Sequence, residues 1–116
     1  MPKRISVIIP TYKRYEDILP TLDSLNQQTL LPDDVIIFDE SPDDVLRTTL
    51  RNFKAKYPIK YIWSPSEFRS LARARNKAGR LSKGDVILFL DDDVLLDPCY
   101  LENLVSFLKI IQMLWD

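Results

Sequence analysis

The segment G-D-V-I-L-F-L-D-D-D-V-L-L-D-P, from Gly84 to Pro98, joins the strongest apolar run of the chain to its densest charge. Its five consecutive apolar residues, Val86 to Leu90, predict a strand that is buried on both faces of a parallel sheet. Asp91, Asp92 and Asp93 follow directly. Because adjacent carboxylates repel one another, this run indicates a divalent cation or a shared proton, and the alternative is a solvated acidic turn.

Length and charge limit the classes of protein. The chain has 116 residues, which is enough for one domain, spanning residues 1–116. Its 16 basic and 17 acidic residues give a formal net charge of −1. This balance offers no electrostatic surface for nucleic acid or for an anionic membrane, so neither is expected as a partner.

Scarce residue types exclude several chemistries. The sequence contains no histidine, which removes Ser-His-Asp and Cys-His catalysis and histidine-based zinc sites. Cys99 is the only cysteine, which rules out an internal disulfide and suits a reducing compartment. With only Gly79 and Gly84, the chain has neither a Walker loop nor a G-x-G-x-x-G turn. Phosphate binding would therefore need a metal ion or basic side chains.

No segment has the pattern of a signal peptide or a membrane span. The apolar run Ile5 to Ile9 is too short for the core of a signal peptide, and Glu102 and Lys109 interrupt the apolar carboxyl-terminal segment. We therefore expect a cytoplasmic protein without a transmembrane segment.

Four apolar runs alternate with four helical patterns. The predicted strands are Ile5–Ile9, Val35–Phe38, Ile59–Trp63 and Val86–Leu90. Pro10 is expected to stop the first strand because it has no N–H for a ladder. The order β-α-β-α-β-α-β-α predicts an α/β fold, a Rossmann-like three-layer α/β/α arrangement with a mainly parallel four-stranded sheet.

The first predicted helix places Ile18, Leu22 and Leu25 on its core face, with Glu16 and Asp17 in its first turn. The remaining helices follow from capping signals and from proline. In the second, Ser41 is the expected N-cap, Pro42 the first helical residue and Asp44 the capping-box acid. The third begins between 66 and 70 and ends near 81, and the fourth begins at Asp97-Pro98.

Polar residues follow three of the strands. They are Thr11, Tyr12 and Arg14 after the first, Asp39 and Glu40 after the second, and the aspartate run after the fourth. Ligands of parallel sheets bind outside the carboxyl ends of the strands, so these side chains are expected at one edge. Clustered carboxylates with flanking arginines and no glycine cradle suit a nucleoside diphosphate bridged by Mg²⁺ or Mn²⁺.

Single residues have two interpretations each. Tyr12 can stack on a base or pack as a half-buried ring, and Asp39 can accept the imide N–H of a uracil or cap the next helix. The basic third helix, with Arg73, Arg75, Asn76 and Lys77, can be a solvated face or can carry some of these groups toward a diphosphate.

Four blocks together carry a resemblance to a known family. They read S-V-I-I-P-T-Y-K-R, V-I-I-F-D-E-S-P-D-D, L-A-R-A-R-N-K-A-G-R-L-S-K-G-D-V-I-L-F-L-D-D-D and V-L-L-D-P-C-Y-L. In this order, from about Ile5 to Leu104, the chain resembles the family 2 glycosyltransferases. The resemblance implies a truncated GT-A fold and transfer of a sugar from a UDP or GDP sugar with Mg²⁺ or Mn²⁺, to an acceptor that the sequence does not identify.

The resemblance also implies roles for individual residues. Asp93 matches the metal ligand of the family's D-x-D motif, Asp91 is a second candidate ligand, and Asp91 or Asp92 would contact the ribose side. The residues expected around the rest of the nucleotide are Pro10, Thr11 and Tyr12 at the base, Asp39 paired with it, and Arg75 and Asn76 beside the phosphates. Arg14 is a further nucleotide-binding candidate. Glu40 matches the family's D-D-G-S only in charge type.

The chain departs from the family in length. Members continue for a second half that supplies the acceptor surface and the general base of inverting enzymes, so no base is assigned here. The segment 105–116 is apolar on nearly every face. We expect another chain, or a second copy in a homo-oligomer, to cover this helix.

Three alternatives stay open. The first is a non-catalytic nucleotide-sugar binding or assembly module. The second is a haloacid-dehalogenase-like phosphatase, with Asp91 as nucleophile and Asp93 as acid, although its motif normally closes an early strand. The third is a receiver-like domain with acidic strand ends and Mg²⁺.

Overall fold

The computed structural model describes residues 4–66, 71–82 and 84–115, except for the side chains at 71 and 115. Strands and helices alternate as the sequence predicts, which confirms the α/β class. The strands are β1 (Ile5–Thr11), β2 (Asp34–Asp39), β3 (Ile59–Trp63) and β4 (Val86–Phe89). The helices are α1 (Leu19–Asn26), α2 (Val45–Arg51), α3 (Leu71–Leu81) and α4 (Tyr100–Trp115).

The four strands form one sheet in the order β3-β2-β1-β4, and every strand pair is parallel. In this order β2 and β3 lie on one side of β1, whereas β4 lies on the other. The direction of winding therefore reverses between β1 and β4. In open α/β sheets this switch point is where the carboxyl ends of the strands leave a crevice for a ligand.

Alternate residues of the central strands fill two separate cores. Val7 and Val35 belong to the larger core, in which α1, α2 and α4 cover one face of the sheet. Ile8 and Phe38 face the opposite side, where they pack against Ala74 and its neighbours on α3. The three-layer α/β/α arrangement is confirmed, with three helices on one face and α3 on the other.

The prediction that the Val86–Leu90 strand is buried on both faces is wrong. Although β4 pairs with β1, it lies at the edge of the sheet. Ile87 and Phe89 remain 42% and 37% exposed. The reason is that α3 packs over β1 and β2 rather than over β4, so an apolar run that reads as a core strand is only half covered.

Pro10 does not end β1, contrary to the prediction. It lies inside the strand, buried and paired in register with Phe38, and the strand continues to Thr11. Backbone groups of successive residues point to alternate sides: the Ile8 oxygen accepts from Leu90 on the β4 side, and the Thr11 oxygen accepts from Glu40 on the β2 side. The Pro10 nitrogen therefore faces the β4 side beyond Phe89, where no ladder bond is lost.

Three helix starts differ from the predictions. Helix α4 begins at Tyr100 rather than at Asp97-Pro98. The start predicted for the third helix, between 66 and 70, falls on positions of which 67–70 lie outside the described residues. The acidic pair Glu16 and Asp17 precedes α1, whose first turn holds no acidic residue. Helix α2 begins only at Val45, with Asp44 as an N-cap that makes no side-chain cap bond. Ser41 is therefore not the cap of this helix, because its hydroxyl is engaged by the ends of β1 and β2.

Helix α4 is joined to α1 through the buried side chain of Gln28, which donates to the Asp97 oxygen at 2.7 Å and accepts from the Leu101 nitrogen at 3.0 Å. Leu101 and Val105 then enter the larger core. The outer face of α4 is apolar and exposed. Its most exposed members are Phe107, Ile110, Met113 and Leu114, at 58%, 57%, 79% and 80%.

Helix α4 also contains the spacing of a coiled-coil seam, because Tyr100, Leu104, Phe107, Ile111 and Leu114 alternate in steps of four and three, with Leu104 and Ile111 half-buried. The expectation that another chain or copy covers segment 105–116 stays a prediction. In the described ranges, none of the helices combines the length and apolar character that crossing a bilayer requires.

Candidate functional site

The carboxyl ends of β1, β2 and β4 meet at one edge of the sheet, which we call the carboxyl rim (residues 11–14, 39–41 and 91–93). The register aligns Thr11 with Asp39. The Glu40 nitrogen donates to the Thr11 oxygen at 3.0 Å, and the Thr11 hydroxyl donates to Asp92 at 2.8 Å. The structure thus brings together polar residues that lie up to about eighty positions apart in the sequence.

The three aspartates of the run differ in their surroundings. Asp91 and Asp93 are exposed, whereas Asp92 is only 2% exposed. One carboxylate oxygen of Asp92 accepts from Thr11, and its backbone oxygen accepts from the Thr21 hydroxyl of α1 at 3.1 Å. Only the carboxylates of Asp91 and Asp93 are therefore open to a ligand from solvent.

The loop after β1 is held in an unusual conformation. Lys13 has φ 55°, a left-handed geometry that is uncommon for a residue other than glycine. The backbone nitrogen of Lys13 donates to the Ser41 hydroxyl at 2.7 Å. Its side-chain ammonium lies 5.3 Å from the centre of the half-buried Tyr12 ring. Arg14 lies between two acids, 4.0 Å from Asp92 and 3.9 Å from Asp17.

Asp39 is buried at the end of β2 and already has hydrogen-bond donors. It accepts from the backbone nitrogen and hydroxyl of Ser41 and from the hydroxyl of Tyr61. It does not cap α2, which begins six positions later at Val45. Burial, and then the hydrogen bond to Asp39, raise the pKa of Tyr61 far above its usual range.

Sequence reasoning missed Ser41 and Tyr61 as members of this site. The signal for Tyr61 was the register of a parallel sheet. Tyr61 lies two positions before Trp63, the partner of Asp39 in the ladder, and a period of two places Tyr61 and Trp63 on the same face. Ser41 gave a misleading signal because Ser-Pro-Asp-Asp has the composition of a helix start.

Glu40 and Arg73 form an ion pair beside Asp39. The Glu40 side chain is fully buried, and a carboxylate oxygen lies 2.8 Å from an Arg73 guanidinium nitrogen. The same guanidinium donates to the Ser64 hydroxyl and lies 6.0 Å from the centre of the Phe38 ring. Arg73 therefore ties α3 to the carboxyl ends of β2 and β3, and the sequence did not reveal this pair.

The other basic residues of α3 lie farther along the helix. Arg75 is exposed, and its guanidinium lies 5.6 Å from the centre of the Phe89 ring, two positions before Asp91. Asn76 is exposed, and Lys77 donates to Ser64 at 3.3 Å. The structure thus places Arg75 beside the end of β4, on the side of the sheet that α3 covers.

The exposed acids fit a hard cation that has further ligands of its own. Within the described ranges, no group of three or more histidine, cysteine, aspartate or glutamate residues is arranged to hold a metal ion. Mg²⁺ and Mn²⁺ commonly use one or two carboxylates and complete their octahedron with phosphate oxygens and water. The carboxylates of Asp91 and Asp93 match that requirement when the cation arrives with a diphosphate.

Comparison with known proteins decides the family. The model of the family described as Glycosyl transferase family 2 matches residues 6–111. The chain belongs to glycosyl transferase family 2. This result confirms the resemblance drawn from the four sequence blocks, and the four parallel strands with their helices are the fold shared with GT-A glycosyltransferases.

Family 2 relatives extend well beyond this chain. Validoxylamine A glucosyltransferase of Streptomyces hygroscopicus subsp. limoneus is 34% identical over 104 residues, which cover 88% of this chain and 23% of that protein. The S. aureus TarS 1–349 structure in complex with UDP-GlcNAc has a TM-score of 0.74 and 28% identity, covering 91% of this chain and 31% of TarS 1–349.

A third comparison supports the fold. The mannosyltransferase PcManGT from Pyrobaculum calidifontis, in complex with GDP-Man and Mn²⁺, has a TM-score of 0.73 and 24% identity, covering 94% of this chain and 32% of that one. This family 2 chain therefore spans about a quarter to a third of the length of these relatives.

Proposed function

We propose that this family 2 chain is a nucleotide-sugar binding domain that holds a UDP or GDP sugar at the carboxyl rim, together with Mg²⁺ or Mn²⁺, for transfer of the sugar to an acceptor. The observation that carries the proposal is the bond from Thr11 to Asp92 across the switch point. It places two exposed carboxylates beside the loop that follows β1, where open α/β sheets bind their ligands.

The similar proteins support the choice of ligand. TarS 1–349 has a structure with UDP-GlcNAc, and PcManGT has one with GDP-Man and Mn²⁺. The exposed Asp91 and Asp93 offer the oxygen ligands that such a cation prefers. When bound, the ion would stabilise negative charge on the leaving diphosphate.

Different residues of the carboxyl rim are proposed to bind different parts of the nucleotide sugar. In our proposal Asp93 holds the cation, and Asp91 contacts the ribose or is a second ligand. The half-buried ring of Tyr12 is available for stacking on the base. Thr11 has 0% of its surface exposed and supports this loop from within through its bond to Asp92. Arg14 is available to contact the nucleotide, because 44% of its side chain is exposed.

Two of the expected contacts require movement or are indirect. Asp39 has no exposed surface and already accepts from Tyr61, so it can reach an imide N–H only if that hydroxyl turns away. Pro10 is buried within β1, so it can affect the base only indirectly, by holding the loop that follows.

Arg75 and Asn76 are exposed on α3, from which the arginine can extend toward the phosphates.

The proposed reaction needs one further group. The acceptor oxygen forms a bond to the anomeric carbon while the bond from that carbon to the diphosphate breaks, and a base removes the acceptor proton. We assign no residue to this base. The rim accounts for holding and orienting the donor, which lowers the entropic part of the barrier.

Calorimetric titration with UDP and GDP, with and without Mn²⁺, tests the proposal. We expect metal-dependent binding that Asp93→Asn reduces to the level measured without metal. Asp85→Asn is the matched control. It removes one negative charge at the amino end of β4, away from the carboxyl rim. Equal Mn²⁺-dependent affinity in Asp93→Asn and Asp85→Asn would remove the metal assignment.

The second candidate is the non-catalytic nucleotide-sugar binding or assembly module. The observation that favours it is that the contacts at the carboxyl rim account for holding the donor, whereas we assign no described residue to the base that transfer needs. A donor-hydrolysis assay with UDP-sugars and Mn²⁺ separates the two. Turnover that Asp93→Asn abolishes supports the transferase, and binding without any turnover supports the module.

A further inference from the structure

We propose that Asp92 is a positioning residue, which fixes the exposed carboxylates of Asp91 and Asp93 across the switch point so that they can bind a cation. This inference rests on the proposed function and assigns a role to the middle residue of the aspartate run. It differs from the expectation that Asp92 contacts the ribose, because the Asp92 side chain points into the protein.

Burial alternates along the aspartate run, which separates the two exposed candidate ligands from the buried residue between them. Asp91 and Asp93 are exposed, and the residue between them has only 2% of its surface exposed. A buried carboxylate is costly unless it is hydrogen-bonded or paired. Asp92 has both kinds of partner, the Thr11 hydroxyl at 2.8 Å and the Arg14 guanidinium at 4.0 Å.

The run is anchored at two points on different elements. The side chain of Asp92 accepts from Thr11 at the end of β1, and its backbone oxygen accepts from Thr21 on α1 at 3.1 Å. Both hydroxyl-bearing residues are buried, with 0% and 1% of their surface exposed. Two fixed points on rigid elements therefore hold the turn that carries the exposed acids.

These anchors act where the backbone ladder has ended. The last register pair between β1 and β4 is Ile8 with Phe89, and the Leu90 nitrogen still donates to the Ile8 oxygen at 2.9 Å. The aspartate run begins at the next residue. Its position relative to β1 therefore depends on the Asp92 contacts, and removing them should let the carboxylates of Asp91 and Asp93 drift from the cation.

The hydrogen bond from Thr11 should matter more than the charge of Asp92. A carboxylate at position 92 reaches Thr11 from the turn, whereas alanine would leave the buried Thr11 hydroxyl without this acceptor. Asparagine has the same shape and an oxygen that can accept the same bond, but it has no charge to pair with Arg14. The two substitutions separate the anchoring bond from the ion pair.

The test measures the Mn²⁺ concentration that gives half-maximal UDP binding, by calorimetry, in the wild type, Asp92→Ala, Asp92→Asn and Thr21→Val. Loss of groups that orient metal ligands typically weakens metal affinity by about 10- to 100-fold, and we expect a shift of that size for Asp92→Ala. Asp92→Asn should restore most of the wild-type value. Thr21→Val should shift it in the same direction as Asp92→Ala, because it removes the second anchor while preserving volume.

Uridine binding without metal provides the readout that distinguishes positioning from general damage. It should be unchanged in all three variants if only the cation ligands are displaced. A wild-type Mn²⁺ requirement in both Asp92→Ala and Thr21→Val would overturn the positioning role, as would an equal loss of uridine binding and metal-dependent UDP binding. Absence of Mn²⁺-dependent binding of both UDP and GDP in the wild type would instead overturn the proposed function, and this inference with it.

Discussion

Replacement of Tyr57 by phenylalanine removes one buried hydroxyl, which donates a 2.6 Å hydrogen bond to the backbone oxygen of Leu22 in α1. The tyrosine is 6% exposed and packs in the larger core. Near neutral pH we expect Tyr57→Phe to lower the free energy of unfolding by about 1 kcal/mol, the typical net contribution of such a bond.

At alkaline pH the order of stability should reverse, with Tyr57→Phe more stable than the wild type. Burial, and then the charge of Asp23, raise the pKa of Tyr57 well above its ordinary value of 10.0. Above pH 10.0 the Tyr57 hydroxyl ionises in the unfolded chain, but it stays neutral in the folded protein because its pKa there is raised. Its contribution to stability is therefore complete below pH 10 and is lost as the pH rises, at about 1.4 kcal/mol per pH unit.

The phenylalanine variant has no such loss, so the two stability curves should cross. At pH ~10.7 the ionisation of unfolded Tyr57 costs the wild type about 1 kcal/mol, which equals the hydrogen bond that the variant lacks. Urea unfolding followed by circular dichroism, from about pH 7 to about pH 11.5, measures the difference. Tyr100→Phe, at an exposed residue, corrects for the loss of a tyrosine as such. A difference that stays constant over this range would refute the reasoning.

Further predictions concern backbone space, the buried ion pair and the terminal helix. Gly84→Ala should lower the free energy of unfolding by about 1–3 kcal/mol, because a Cβ there would lie 2.6 Å from a backbone nitrogen of β1. Gly79→Ala should raise it by up to about 1 kcal/mol, since its Cβ would meet nothing within 4 Å in the last turn of α3; urea titrations that rank the two alike would contradict both. Arg73→Met should cost about 2–3 kcal/mol, less than a fully buried pair because its side chain is 33% exposed, and combining it with Glu40→Gln should recover part of the loss. If a second copy covers α4, Phe107→Ser should shift sedimentation toward the monomer whereas Phe107→Leu should not, and a wild type that sediments as a monomer would count against self-association.

The architecture followed from patterns that are local in the chain. The runs around Val35–Phe38 and Ile59–Trp63 lie between helical spacings, and this alternation is enough to specify parallel strands with crossover helices. The polar residues after β1, β2 and β4 were predictable as neighbours for the same reason. Parallel strands end at one edge, so Thr11 and Asp39 meet without any further information.

Predictions failed where a residue's environment depends on which elements cover it. Ile87 and Phe89 read as core residues, but β4 is the edge strand and α3 packs over its neighbours. Pro10 read as a stop signal, yet its missing N–H faces the side on which β4 has already ended. Ser41 read as a helix cap, yet the β1 loop binds its hydroxyl. In each case a short sequence pattern is compatible with several structural environments, and packing against distant segments of the chain determines which one is formed.

The aspartate run shows the division most clearly. Composition and spacing predicted that residues 91–93 follow a strand and carry the chemistry of the chain, and the structure confirms their position after β4. Three identical letters cannot differ in their local propensities, so nothing in the segment distinguishes Asp92 from its neighbours. Contacts from two other elements make that distinction: Thr11 of β1 binds the Asp92 carboxylate, and Thr21 of α1 binds the Asp92 backbone oxygen. Asp91 and Asp93 consequently face solvent, where a ligand can reach them.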